Sequence, residues 1–484
     1  MMHNTSTKVL AGFTACVLVL AVVLMAAVGM TKAASTTKSL STNFTLVNLG
    51  TADANVTVQY LLDSGATWTA PASSTTFTIP ANGGQKIIRQ YQDTMTPSSG
   101  RGSAVVSSDQ PLGAVVQISA QGQTPTSGAY SGFTEGSGSF YVPLLARIGG
   151  GVSNSQIMIQ NTGTSSVNAE VKLFGLGARP SYTKTGITIA GGATYYYDLN
   201  DETNLGNQSW FGSGVVNALG GGKVAVISNF FTAPDQVQTY NAFSTESAGT
   251  AWLIPQFNSR LGNGLSTPVT AQNVSGSTIP VGSITMTCTK TAGQGATTLN
   301  FTNASAIANN ASYIVNPVTD QSIPASWTGA CRLTGSGNMV VFVQMRTVGT
   351  ANAAAYEGIN ANAGGTKVIV PLIAKRLGSG FATAVTIQNM SPTQAANITL
   401  TYTRSSGPGT NLSTTTTIPA GSSLIQNQRG ANFAVGATTM PDGWVGSLTV
   451  ESTNGVKLGA FVQLSNINPL AGDTFQAHAA FTLP

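Results

Sequence analysis

The chain has 484 residues, 42% of them hydrophobic and only 8% charged, with a formal net charge of +5. That balance is the opposite of the low-hydropathy, high-charge signature of a disordered chain, so a folded core is expected. The 21 basic residues form no run, which excludes a nucleic-acid footprint, and 2 histidines leave acid–base and nucleophilic catalysis short of bases.

The first 34 residues stand apart. Behind Lys8, residues 9–30 are a run of apolar and small side chains, followed by Lys32, Ala33 and Ala34. This is the pattern of an export signal cleaved near Ala33. At ~1.5 Å per residue the same run, as a helix, is long enough to remain as an N-terminal anchor. An apolar leader helix is expected here, on a chain destined for the cell surface or the outside of the cell. Membrane contact would come only through an uncleaved leader.

After the leader one pattern is written repeatedly. An apolar segment with a proline leads to an arginine, a glycine loop and an alternating strand that ends on asparagine. The copies are Val142-Pro143-Leu144, Arg147 and Ile159-Gln160-Asn161; Ile254-Pro255, Arg260 and Ala271-Gln272-Asn273; and Val370-Pro371-Leu372, Arg376 and Ile387-Gln388-Asn389. Counting back 113 residues from Asn161 reaches Asn48, and the later spacings are 112 and 116. Four copies follow, at 35–138, 139–249, 250–365 and 366–484.

Each copy then reads as a succession of short strands. Val56, Val58 and Tyr60, like Ile398, Leu400 and Tyr402, alternate with polar residues, which marks a strand with one face buried. A turn follows at Pro80-Ala81-Asn82-Gly83 or Pro419-Ala420-Gly421, then a strand pair opening on Gly102, Gly212, Gly329 or Gly446. The copy closes on Tyr130, Tyr240, Tyr356 or His478. No helical period appears outside the leader. The proline segments are expected to enter each unit as edge strands, where a missing N–H is harmless. The first unit has no such segment, only the polar arm at 35–42. Its sheet edge is therefore either open to a strand from another molecule or covered by that arm.

Few residues offer chemistry. His3 lies in the leader, and His478 sits at an aromatic closing position that suits packing better than catalysis. Asp198, Asn200, Asp201 and Glu202 have the oxygens of a calcium loop but lack its glycine and occur in one copy, so a solvated turn is expected. No cofactor or metal is expected. Cys288 and Cys331 replace inward positions of neighbouring strands in one copy, which in an exported chain argues for a disulfide; closing their 43-residue loop would stabilise that unit by roughly 4 kcal/mol. Arg147, Arg260 and Arg376, with Pro143, Pro255 and Pro371, mark the repeat junctions, where the arginines are expected to hydrogen-bond carbonyls or a carboxylate between units. Glycosylation sequons begin at Asn43, Asn55, Asn207, Asn273, Asn300, Asn303, Asn310, Asn389, Asn397 and Asn411. Trp68, Tyr195, Tyr196, Tyr197, Trp210 and Trp327 lie outside the repeated core and offer a stacking platform for a sugar.

About seven short strands per ~110 residues, separated by turn signals, is the pattern of an immunoglobulin-like sandwich. The succession Val-Pro-Leu, Arg, Gly and Ile-Gln-Asn, then Ile418-Pro419-Ala420-Gly421-Ser422, then Gly102-Ser103-Ala104-Val105-Val106, resembles tandem repeats of large secreted bacterial surface proteins. The resemblance covers the chain after the leader and implies an immunoglobulin-like fold and an extracytoplasmic place, with no activity attached. The third copy fits least, with Asn309-Asn310 where Pro-Ala-Gly is expected. The expectation is an all-β, non-enzymatic surface protein: four tandem sandwiches forming a rod or bent string, as a subunit of a surface layer, sheath or filament or as an adhesive stalk. Its partners would be copies of itself or other surface proteins, with a carbohydrate-binding module as the alternative.

Overall fold

Alternation decides which way each strand faces. Along Ala54–Leu62, Ala54, Val56, Val58 and Tyr60 are buried while Asn55, Thr57 and Gln59 are exposed, and Ala396–Ser406 repeats the pattern through Tyr402. The computed structural model describes residues 22–26, 40–120, 126–148, 153–206, 208–232, 236–293, 295–348, 352–468 and 473–483.

The strands pair antiparallel into sheets whose order recurs. In the first unit one sheet runs Thr76–Ile79, Ala54–Leu62, Gly102–Ser108, Val22–Ala26, and the other Gln85–Arg89, Leu40–Asn48, Leu112–Ala120, Ser127–Ser131. The last unit repeats both, as Leu412–Ile418, Ala396–Ser406, Trp444–Ser452, Lys367–Lys375 and as Ser423–Asn427, Phe381–Asn389, Leu458–Asn466, Gln476–Ala479. In the third unit the 21-residue strand Trp327–Thr347 serves both sheets. Core side chains come from facing sheets: Phe44 meets Tyr60 with ring centroids 6.4 Å apart. The fold is all-β and sandwich-like. Helix among the described residues is confined to Ala72–Thr75 and short 3-10 turns.

The recurring asparagine has a structural reason. Asn48, Asn161, Asn273 and Asn389 are buried at strand ends, each beneath the turn that follows. Asn389 Nδ2 donates to the carbonyls of Gln394 (2.8 Å) and Ile418 (3.0 Å), and its Oδ1 accepts from Ser391 N (2.9 Å). Asn48 does the same with Ala52, Ile79 and Gly50. One amide thus ties two strand ends to a turn. Asn389→Ala takes the donor from the buried carbonyl of Ile418, at roughly 1 to 3 kcal/mol, and from the exposed turn carbonyl of Gln394, which water can serve, so chemical denaturation should report a loss of about 2 kcal/mol. A loss below about 1 kcal/mol would mean the turn holds without the clamp.

The junction prolines do not sit on a bare edge as expected. Pro143, Pro255 and Pro371 lie where the register slips, between Val142 and Leu145, Ile254 and Phe257, and Val370 and Ile373. A bulge needs no ladder hydrogen bond there, so the missing N–H is tolerated inside a paired strand. The bulge also frees carbonyls: Tyr240 OH donates to Leu144 O at 3.0 Å and Tyr356 OH to Gln256 O at 3.2 Å.

The units close into a ring and do not extend as a rod. Ser103 Oγ in the first unit donates to Gly192 O of the second (2.9 Å), Ser213 Oγ to Asn310 O of the third, and Ser447 Oγ in the last unit returns to Gly83 O of the first (3.2 Å). These acceptors occupy one turn position, held at positive φ in each unit. The closing strands Ser127–Ser131, Gln236–Asn241, Ala353–Glu357 and Gln476–Ala479 pack in a closed cycle, each on the next, and Ser127–Ser131 also touches Ala353–Glu357 across it. Closing aromatics pack forward: Tyr240 lies 4.1 Å from Phe342, and Tyr356 stacks on Phe461 at 4.1 Å. Burying these rings between units is what a string of separate sandwiches would forgo.

Candidate functional site

The first unit's edge is neither open nor covered by the arm at 35–42. Val22–Ala26, from inside the expected leader, pairs antiparallel with Gly102–Val106, with Leu24 opposite Ala104 and Val22 opposite Val106. The entry strands of later units take the same register: Val142 opposite Gly214, Ile254 opposite Cys331, and Val370 opposite Leu448, each two residues past the glycine that opens the partner strand. These five leader residues are therefore strand, not helix. The rest of the leader, His3 included, lies outside the described residues.

Cys288 and Cys331 are directly opposite one another on adjacent strands and form a disulfide, with Cα atoms 3.9 Å apart and both side chains buried. The junction arginines do bind carbonyls, but within their own units: Arg147 with Gly206 O (2.5 Å), Arg260 with Pro317, Ile323 and Asp320 O (2.9 Å), and Arg376 with Arg429 O (3.1 Å) and Asp442 Oδ2 (3.2 Å). The residue near the junction that does reach a neighbouring unit is the glutamine beside the clamp. Gln272 Nε2 donates to Gly214 O and Gln388 Nε2 to Cys331 O, each in the preceding unit.

Sequon positions separate by burial. Asn273, Asn303 and Asn389 are buried with their amides engaged, so the folded chain offers no nitrogen for a sugar there. Asn43 and Asn310 are half-buried, while Asn55, Asn300, Asn397 and Asn411 are exposed; Asn207 lies outside the described residues.

The acidic cluster is not a solvated turn. Asp198 is buried, accepts from Asn154 Nδ2 (2.6 Å) and Gln156 Nε2 (2.8 Å), and caps a 3-10 turn through Asn200 N. Glu202, also buried, accepts from Tyr197 OH (2.9 Å) and caps the next turn. Among the described residues no group of three or more His, Cys, Asp or Glu is placed to hold a metal ion. The aromatic platform is not formed either. Trp68, Trp210 and Trp327 are buried and donate their indole N–H to Pro97 O, Pro180 O and Ala296 O, while Tyr197 is buried and Tyr196 OH donates to Gly102 O.

Sequence reasoning missed two features. Trp210-Phe-Gly212, Trp327-Thr-Gly329 and Trp444-Val-Gly446 form a repeated Trp-x-Gly in which the ring folds over the glycine; the triplet was visible in the sequence. Lys375, fully buried, donates to Gly430 O (2.7 Å), Ala431 O (3.1 Å) and Asp442 Oδ1 (2.8 Å). Such a buried cation is tolerated because all three of its protons find acceptors.

A cavity with polar and aromatic walls lies where the closing strands end. Its volume is about 650 Å³, and it is lined by residues from all four units, including Phe133, Asn241, Phe243, Glu357 and Ala479. Glu357 Oε1 accepts from Asn241 N at 2.6 Å, and the backbone of Ala479 also bonds the carboxylate. No cation pairs with it among the described residues, and burial pushes its pKa up to about 7. One residue before Ala479, His478 is buried with Nδ1 donating to Ala479 O at 2.9 Å, and burial lowers its pKa to about 4, so the ring is neutral. His478 is buried at the closing aromatic position.

No family model matches the sequence, and no curated protein matches it. Among solved structures the chain is similar to one titled "Biofilm associated protein - BSP domain", at 9% identity over 96% of this chain and 97% of that one, with a TM-score of 0.14. Among the described residues no helix is long and apolar enough to cross a membrane.

Proposed function

We propose that this chain is an exported, non-enzymatic structural protein of the cell surface, built of four tandem immunoglobulin-like units, that joins a surface layer, sheath or filament through its first unit. One observation carries the reading. The entry-strand slot of that unit is filled, in the register used by the others, by five residues of the stretch read as a cleaved leader. Removal of the leader near Ala33 takes that strand away and leaves the backbone N–H and C=O groups along Gly102–Val106 without partners. Such an edge is a template for a strand from another molecule. A leader that stays would fill the slot and keep the chain monomeric.

The test compares full-length protein with protein starting at Ser35, by light scattering and electron microscopy across concentration. A synthetic peptide carrying residues 22–26 between solubilising lysines is then added. Ordered polymers or oligomers of the short form, dispersed by the peptide, are expected. A short form that stays monomeric and ignores the peptide would sink the proposal.

A further inference from the structure

We propose that the cavity at the centre of the ring is a binding site for a small organic ammonium ion with an apolar body. It has the volume of a small-molecule site, about 650 Å³, and takes its walls from four units, so it exists only in the closed ring. The titratable groups that line it are Glu135, Lys223, Glu246 and Glu357, three acids against one base in a chain whose overall charge is positive. Glu246 is engaged with Ser137 Oγ at 2.9 and 3.2 Å. Among the described residues Glu357 is held by backbone N–H groups and has no counter-ion.

The walls supply the second half of the recognition. Phe133 and Phe140 meet edge to face at 5.9 Å, and Phe243 and Trp252 do so at 5.7 Å, all four lining the same cavity. An unpaired carboxylate beside aromatic rings attracts a cation that also has hydrocarbon to bury, because charge pairing, cation–π attraction and apolar contact add in one place. An anion would face the acid majority, and a neutral alcohol would leave the carboxylate unpaired. The raised pKa of Glu357 is the expected mark of a carboxylate enclosed without a counter-ion among the described residues.

The probe is cyclohexylammonium, with cyclohexanol and cyclohexanecarboxylate as shape-matched controls, titrated calorimetrically into the full chain at pH 8. The ammonium ion should bind at least roughly tenfold more tightly than the alcohol, and the carboxylate not at all. Affinity should rise between pH 6 and 8 as Glu357 ionises, and Glu357→Gln should remove both the charge preference and the rise. Lys223→Ala, on the exposed rim, should tighten binding, and Phe133→Ala should weaken it for ammonium and alcohol alike. Equal affinity for ammonium and alcohol, no binding to folded wild-type protein, or an unchanged preference in folded Glu357→Gln would overturn the assignment.

Discussion

Glu357→Gln should make the protein more stable at pH 8 than its parent, by about 2 to 3 kcal/mol. The carboxyl has a pKa near 7 in the folded chain against an ordinary 4.5, so between those values the unfolded chain has released its proton and the folded chain has not. Stability is then fully present below pH 4.5 and falls as pH rises through 7, at about 1.4 kcal/mol per unit. His478 runs the other way. Its folded pKa near 4 lies below the ordinary 6.5, so its contribution is present above pH 6.5 and lost as pH falls through 4. The two slopes oppose each other between about pH 4.5 and 6.5, where the parent should show a plateau. Denaturant melts across pH 4 to 8 should therefore show stability rising with pH up to 6.5 in Glu357→Gln, and falling from 4.5 to 7 in His478→Tyr. Tyrosine is the test residue because Tyr240 and Tyr356 fill that position elsewhere and donate to the carbonyl that follows the junction proline. If Glu357→Gln leaves stability at pH 8 unchanged, the carboxylate is not held in an enclosed site.

Where the sequence was legible, local side-chain chemistry set the structure. The asparagine clamps were visible as a spacing because each turn needs its own amide, and Cys288 and Cys331 because two inward positions changed together. What stayed hidden was contact between units. Ring closure depends on serine hydroxyls reaching carbonyls at Gly83, Gly192 and Asn310, and a serine after a glycine looks the same whether its partner is solvent or a neighbouring unit. Glu357 was hidden for a related reason: its environment comes from Asn241 and Ala479, each more than a hundred residues away. Residues 22–26 were misread because an apolar run has no period to tell a helix from a strand, and length alone favoured the helix.

Gly446→Ala should cost the last unit at least about 3 kcal/mol, although it adds a single methyl group to a strand that would ordinarily prefer alanine. The added carbon would overlap the carbonyl oxygen of Thr403 on the neighbouring strand and come within 2.5 Å of Trp444 Cη2. Neither can yield: Thr403 belongs to a paired strand, and the indole is buried with Nε1 donating to Thr410 O at 3.0 Å. Gly378→Ala is the control, since a carbon there meets nothing within 4 Å and the backbone is not left-handed; it should be neutral or slightly stabilising. Differential scanning calorimetry on both variants checks the pair, and a Gly446→Ala loss below about 1 kcal/mol would mean the sheet can open at that point. The first unit separates the two halves of the motif. Gly102 remains and would overlap Leu61 O in the same way, yet the tryptophan two positions before it is replaced by Gly100, with the Trp68 ring 3.5 Å from where a side chain there would begin. The glycine therefore answers to the close approach of the strands, with or without an indole over it. Gly102→Ala should then cost as much as Gly446→Ala despite having no tryptophan beside it in sequence.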